Sequence, residues 1–109
     1  MYKRNKYNAI KVKDDGYTFD SKREHARYLH NKQRLKDGEI SELEIHPVYQ
    51  ILVNDQKICR YTADSQYKNK EGTLIVEDVK SPITAKQARY RLVKKLMKAV
   101  HGITILEVY

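Results

Sequence analysis

Alternation of apolar and polar residues is clearest in the middle of the chain. Val48-Tyr49-Gln50-Ile51-Leu52-Val53 reads as a strand, Asn54-Asp55-Gln56 as a turn, and a second strand is predicted from about Lys57 to Tyr67. The polar stretch Asn69-Lys70-Glu71-Gly72 closes a hairpin into a third strand, Thr73 to Lys80. Three strands joined by short turns predict an antiparallel meander. Before them, Glu39 to Pro47 reads as a connector carrying Ile40, Leu43 and Ile45.

Helical spacing flanks this block on both sides. Ser21-x-x-Glu24 is a capping box that opens a helix running to about Asp37, with Gly38 as its left-handed terminator. Its apolar face is thin, with Tyr28 and Leu35 at helical spacing from Glu24, so Glu24 is placed on or beside the inward face. After Ser81-Pro82 ends the third strand, Thr84-x-x-Gln87 is read as a second capping box. The helix it opens carries Ala85, Ala88, Leu92, Leu96, Ala99 and Val100 on one face, and Gly102 ends it. Ile103 to Val108 is apolar enough to be a closing parallel strand buried on both faces, and a right-handed crossover is expected from the third strand through the helix to it. The expected order is αβββαβ: a mixed α and β domain over residues 19–109, with a mixed four-stranded sheet flanked by helices, preceded by a basic arm over residues 1–18.

Charge changes this picture. Twenty-two lysines and arginines against fourteen acids leave a net charge of +8 on 109 residues, which favours a polyanionic partner, above all nucleic acid. Lys3 and Arg4, interleaved with Tyr2 and Tyr7, and Arg91, Lys94, Lys95 and Lys98 on the second long helix are the candidate phosphate contacts. One cysteine, Cys59, excludes an internal disulfide and a cysteine-based zinc cluster. His25 and His30, five residues apart, miss the spacing of a helical zinc pair. No apolar run reaches the roughly 20 residues of a spanning helix and no secretory signal opens the chain, so a soluble cytoplasmic protein without a membrane partner is expected.

The candidate chemistry lies on the central hairpin. Asp78 and Lys80 share one face of the third strand, while Glu77 and Val79 share the other. A turn centred on Glu71 sets Asp64 directly opposite Asp78, whereas a slip of one residue sets it opposite Glu77. Paired carboxylates need a compensating positive charge, and Mg²⁺ or Mn²⁺ with hard oxygen ligands supplies it. Lys80 would then orient a water or stabilise charge on a phosphate, a combination suited to phosphodiester hydrolysis. The plain alternative is a solvated strand face on which acids and lysines alternate as ion pairs.

Taken together, Ala63-Asp64 and Asp78-Val79-Lys80 within an αβββαβ order resemble the PD-(D/E)XK superfamily of restriction-endonuclease-like nucleases, with Ala63 in place of the proline. Phe19-Asp20-Ser21-Lys22-x-Glu24, Tyr61-x-Ala63-Asp64 and Val76-Glu77-Asp78-Val79-Lys80 are similar to a small phage- and prophage-encoded family built on a domain of unknown function. The resemblance implies a Mg²⁺-dependent DNA endonuclease in which Asp64 and Asp78 bind the metal and Lys80 is the catalytic lysine. By similarity to phage junction-resolving enzymes of the endonuclease I type, it implies Glu24 as a further ligand, branched DNA as substrate, a role in phage recombination in the host cytoplasm, and a homodimer. Gln87 and Tyr90 resemble a glutamine–tyrosine element that lies near DNA in exonuclease-like branches, although capping and packing also account for them. Two other readings stand beside the enzyme: an inactive nucleic-acid-binding module on the same fold, and an interaction domain whose acids form surface ion pairs.

Overall fold

The computed structural model describes residues 10–109. Within them the chain forms β1 (Val12–Asp14), β2 (Tyr17–Phe19), α1 (Lys22–Lys36), β3 (Ser41–Ile45), β4 (Val48–Val53), β5 (Gln56–Thr62), β6 (Ser65–Lys68), β7 (Leu74–Val79), α2 (Pro82–Ala85), α3 (Ala88–His101) and β8 (Leu106–Val108). A mixed four-stranded sheet in the order β3-β6-β7-β8 is antiparallel except between β7 and β8. The parallel pairing of the closing strand with β7 follows from the helical connection between them. The helices flank the sheet, as the sequence pattern predicts.

Several local expectations are corrected. Glu39 to Pro47 is more than a connector, because it contains β3, which pairs with β6. The predicted second strand is divided at Ala63-Asp64 into β5 and β6, which belong to different sheets, so the simple meander is replaced by a bent ribbon. Pairings Ile45 with Ser65 and Val48 with Thr62 keep one register across the bend. At the bend itself the His46 N–H donates to the Asp64 carbonyl at 3.0 Å, and the Ala63 N–H donates to the Pro47 carbonyl at 3.0 Å. Pro47 has no N–H to continue the ladder and His46 takes a positive φ of 55°, which together turn the ribbon here.

Of the basic arm, residues 12–18 form, together with Phe19, the β1–β2 hairpin, closed by Asp15 and Gly16 at positive φ, and Lys3 and Arg4 lie outside the described residues. The Tyr28 hydroxyl donates to Asp15 at 2.7 Å and Lys32 pairs with Asp15 at 2.6 Å, which docks that hairpin on α1. The second capping box is Ser81-x-x-Thr84 rather than Thr84-x-x-Gln87, and it opens only the short α2. Gln87 then serves as N-cap residue of a separate α3, without a side-chain capping bond. β8 is shorter than predicted, and at the sheet edge Leu106 is 46% exposed rather than buried on both faces.

The inward face of α3 also differs from the predicted stripe. Tyr90, Val93 and Met97 are buried, whereas Leu92 and Val100 are exposed. The tyrosine joins the inward set because its ring can be buried while its hydroxyl stays near polar groups. These side chains meet Ile51, Tyr61, Ala63, Val76 and Ile105 in one apolar cluster between α3, the β4–β5 ribbon and the four-stranded sheet. Met97 has no exposed surface, so Met97→Ala is expected to cost about 2–5 kcal/mol, read as a lower urea midpoint with an unchanged m-value.

Candidate active site

The register that decides the site is set by a turn. Asn69 Oδ1 accepts from the Glu71 N–H at 3.1 Å and the Thr73 N–H at 2.9 Å, and Gly72 supplies a φ of 79°. Ser65 is therefore opposite Glu77 and Gln66 opposite Val76. Continuing this register sets Asp64 against Asp78, not Glu77. The Asp64 N–H donates to Asp78 Oδ1 at 2.9 Å, and Asp64 Oδ2 accepts from the Val79 N–H at 2.7 Å.

Glu77, the rival acid, faces the other side of β7 and is fully buried. Arg27 from α1 grips it with two bonds, Nε to Oε1 at 2.9 Å and Nη2 to Oε2 at 3.0 Å. Asn31, Ser65 and Tyr67 add hydrogen bonds to the same carboxylate. Burial alone would raise its pKa, but these bonds, led by Arg27, outweigh that and hold it below the usual glutamate value. Glu77 is thus an ionised structural anchor with its oxygen atoms occupied.

The opposite face is electrostatically unfinished. Burial, with the neighbouring Glu24, pushes Asp64 up to about 7. Burial, with the charge of Asp64, pushes Asp78 up to about 6. Glu24 is also raised, by burial first, and shares a side-chain hydrogen bond with Asp64. Lys80 Nζ is the nearby cation, 3.7 Å from Asp78 Oδ2 and 4.0 Å from the centre of the Tyr90 ring. The Tyr61 hydroxyl donates to Asp78 Oδ2, and burial with the Asp78 charge keeps that phenol protonated by raising its pKa. A cavity of about 10 Å³, lined by Glu24, Asp64, Phe19 and Ser65 among others, is roughly the size of one water.

The structure thus brings Glu24, Asp64, Asp78 and Lys80 together. Ser21 caps α1 by accepting from the Glu24 N–H at 3.1 Å, while the Glu24 carboxylate accepts from the Ser21 hydroxyl at 3.2 Å. Capping and reach toward Asp64 therefore coexist in Glu24. Among the described residues no group of three or more His, Cys, Asp or Glu side chains is placed to hold a metal ion, so the three acids are not a preassembled cage. Two desolvated carboxylates beside one lysine do fit Mg²⁺, which commonly takes one or two protein carboxylates and completes its shell with water and phosphate. Tyr61, Arg27 and Asn31 acquired their roles only through tertiary contact. The one sequence signal for Tyr61 was its spacing before Asp64 on a strand.

Two measurements check this electrostatic layout. Removing Arg27 leaves an unpaired buried charge, so Arg27→Ala should cost about 3–5 kcal/mol by chemical denaturation, with Arg27→Lys recovering only part for want of the two-pronged grip. Asp64 and Asp78 keep their protons to higher pH when folded, to about 7 and about 6, than when unfolded. The folded state then binds more protons across that window, so their contribution to stability falls as pH rises from about 4 to about 7. In chelator, Asp64→Asn should flatten that fall and raise Tm at about pH 7.5 while changing little near pH 4.

One protein family matches almost the whole chain. No curated protein and no solved structure matches it. Residues 4–105 match the family described as "Protein of unknown function (DUF1064)". A match of that extent, spanning every element that builds the site, makes the chain a member of the DUF1064 family.

Proposed function

We propose that the protein is a metal-dependent DNA endonuclease of the PD-(D/E)XK type. The observation that carries this reading is the pair of half-buried Asp64 and buried Asp78, side by side with their pKa values raised, and Lys80 3.7 Å from the second. A protein does not retain two mutually repelling, desolvated carboxylates for stability, since each raises the free energy of the fold at neutral pH. Such groups are expected where a cation or a proton is handled.

Asp64 and Asp78 would hold the ion, with Glu24, whose charge and hydrogen bond keep the proton on Asp64 until a cation displaces it, as the further ligand. Bound Mg²⁺ or Mn²⁺ supplies charge neutralisation at the phosphoryl oxygens. Tyr61 fixes the Asp78 carboxylate through Oδ2, and the Asp64 N–H fixes it through Oδ1. The Tyr90 ring holds the Lys80 ammonium against that carboxylate, where it can orient the attacking water or stabilise the developing negative charge. Outside the pocket, Arg91, Lys94, Lys95 and Lys98 line a cleft of about 280 Å³ with Thr104, a surface suited to the phosphate backbone. Lys94 keeps one partner there, Glu107 at 3.3 Å.

Membership of the wider nuclease superfamily, phage origin, action on branched DNA in recombination within the host cytoplasm, and a homodimer that places one site on each of two strands all belong to this proposal and rest on the sequence resemblance. No helix among the described residues is long and apolar enough to cross a membrane. One observation favours a second reading, DNA binding without cleavage: the absence, among the described residues, of a three-ligand metal group.

Incubation of labelled four-way junction, flap, linear duplex and single strand with Mg²⁺ or Mn²⁺ separates the two. The nuclease reading expects cleavage of at least one substrate, and a loss of about 10²-fold or more in Asp64→Ala, Asp78→Ala and Lys80→Ala. Absence of cleavage with either metal, or variants that cut as fast as wild type, would leave the binding module. Calorimetry with Mg²⁺ should show heat that disappears in Asp78→Ala and binding that tightens as pH rises, because the ligands must first lose their protons.

A further inference from the structure

Two Arg-Tyr dipeptides, Arg60-Tyr61 on β5 and Arg89-Tyr90 on α3, face each other across a cleft of about 180 Å³. In each pair the tyrosine is buried and reaches a group of the proposed site: the Tyr61 hydroxyl donates to Asp78, and the Tyr90 ring lies beneath Lys80. Arg60 and Arg89 are both exposed and line the cleft, with Thr62, Gln87 and Val93 completing it.

The arginines of α1 are already engaged. Arg23 donates to the Lys80 carbonyl, Arg27 to Glu77, and Arg34 to Asn31 and Tyr67 while pairing with Glu39. Among the described residues neither Arg60 nor Arg89 forms an ion pair. Two arginines without an ion-pair partner among the described residues therefore line one cleft with the tyrosines that hold Asp78 and Lys80. Guanidinium presents a rigid set of donors matched to phosphate oxygens. We infer that Arg60 and Arg89 form a phosphate clamp, which seats the phosphodiester neighbouring the reacting one. The strand thereby enters the site between β5 and α3, at a place distinct from the lysine-lined cleft further along α3. This assignment rests on the nuclease reading for the identity of the strand's reacting phosphate, but not for the binding itself.

The clamp is tested by fluorescence anisotropy with labelled single-stranded and duplex DNA in chelator, where no cleavage intervenes, at salt from about 50 to about 200 mM. Arg60→Ala and Arg89→Ala should each weaken binding about three- to tenfold, between the values for an exposed ion pair and a charge-assisted hydrogen bond. Each should also reduce the slope of log affinity against log salt by about 0.7–0.9, the release of one counterion. Arg60→Lys and Arg89→Lys should restore the slope but only part of the affinity. Lys36→Ala, at the far end of α1, is the surface control, and circular dichroism verifies that each variant folds. Slopes in both alanine variants equal to that of Lys36→Ala, or no binding of DNA by the wild type, would overturn the clamp. Binding that depends on both arginines without cleavage under Mg²⁺ or Mn²⁺ would overturn the nuclease reading and leave the clamp standing; cleavage with unchanged slopes would do the reverse.

Discussion

The arrangement depends on a fully buried carboxylate. Glu77 has no exposed surface, and a lone charge in that position would not be tolerated. Its neutralisation by Arg27, with Asn31 from the same helix, ties α1 to β7 at one register. Because neighbouring residues on a strand face opposite ways, fastening Glu77 to α1 turns Asp78 toward α3. The same fastening brings the first turn of α1, and with it Glu24, to the bend that carries Asp64. One ion pair thus orders both faces of the central strand, and the reactive-looking face inherits its geometry from the structural one.

The two faces differ in how charge is treated. On the α1 side, Glu77 meets a guanidinium and three further donors, and its ionised form is favoured. On the α3 side, Asp64 and Asp78 receive a single ammonium, two backbone N–H groups and a phenol, and their neutral forms are favoured to near neutral pH. Unequal compensation separates the ionised acid from the pair that keeps its protons to higher pH. Tyr61 and Tyr90 connect this face to the apolar core, so the groups that position Asp78 and Lys80 are themselves held by Val93, Met97 and Ile51. That is a rigid support of the kind a precise site requires.

Positive charge lies where it can act on a polyanion without quenching the site. The arginines of α1 are absorbed into the fold, whereas those of β5 and α3 are left at cleft rims. The net charge of +8 is therefore not spread as a uniform solvating coat. Six basic side chains lie on α1 and five on α3, and on α3 Arg91, Lys94, Lys95 and Lys98 share one cleft.

Local chemistry made much of this legible beforehand. Ser21 and Gly38 marked the limits of α1, Gly102 ended α3, and the Asn69–Gly72 turn marked the hairpin whose two open registers the pairing of β6 with β7 decides for Asp78, since each of these signals is written in short-range hydrogen bonding or backbone freedom. Where the sequence misled, long-range contact was responsible. β3 was missed although Leu43 and Ile45 alternate with Glu42 and Glu44, because five residues at a sheet edge become a strand only through their pairing with β6. The face of α3 was displaced because Tyr90 is buried by what it meets, Lys80 and the core, rather than by its own hydropathy. Likewise Glu77 and Asp78 are indistinguishable as neighbouring acids in the chain, and only the approach of Arg27 from α1 made one an anchor and left the other beside Asp64 and Lys80. By itself the sequence determined α1, β4, the turn into β7 and the body of α3, all set by interactions within a few residues. The tertiary structure alone decided which acids are compensated and which are not, because that depends on charges brought together from distant parts of the chain.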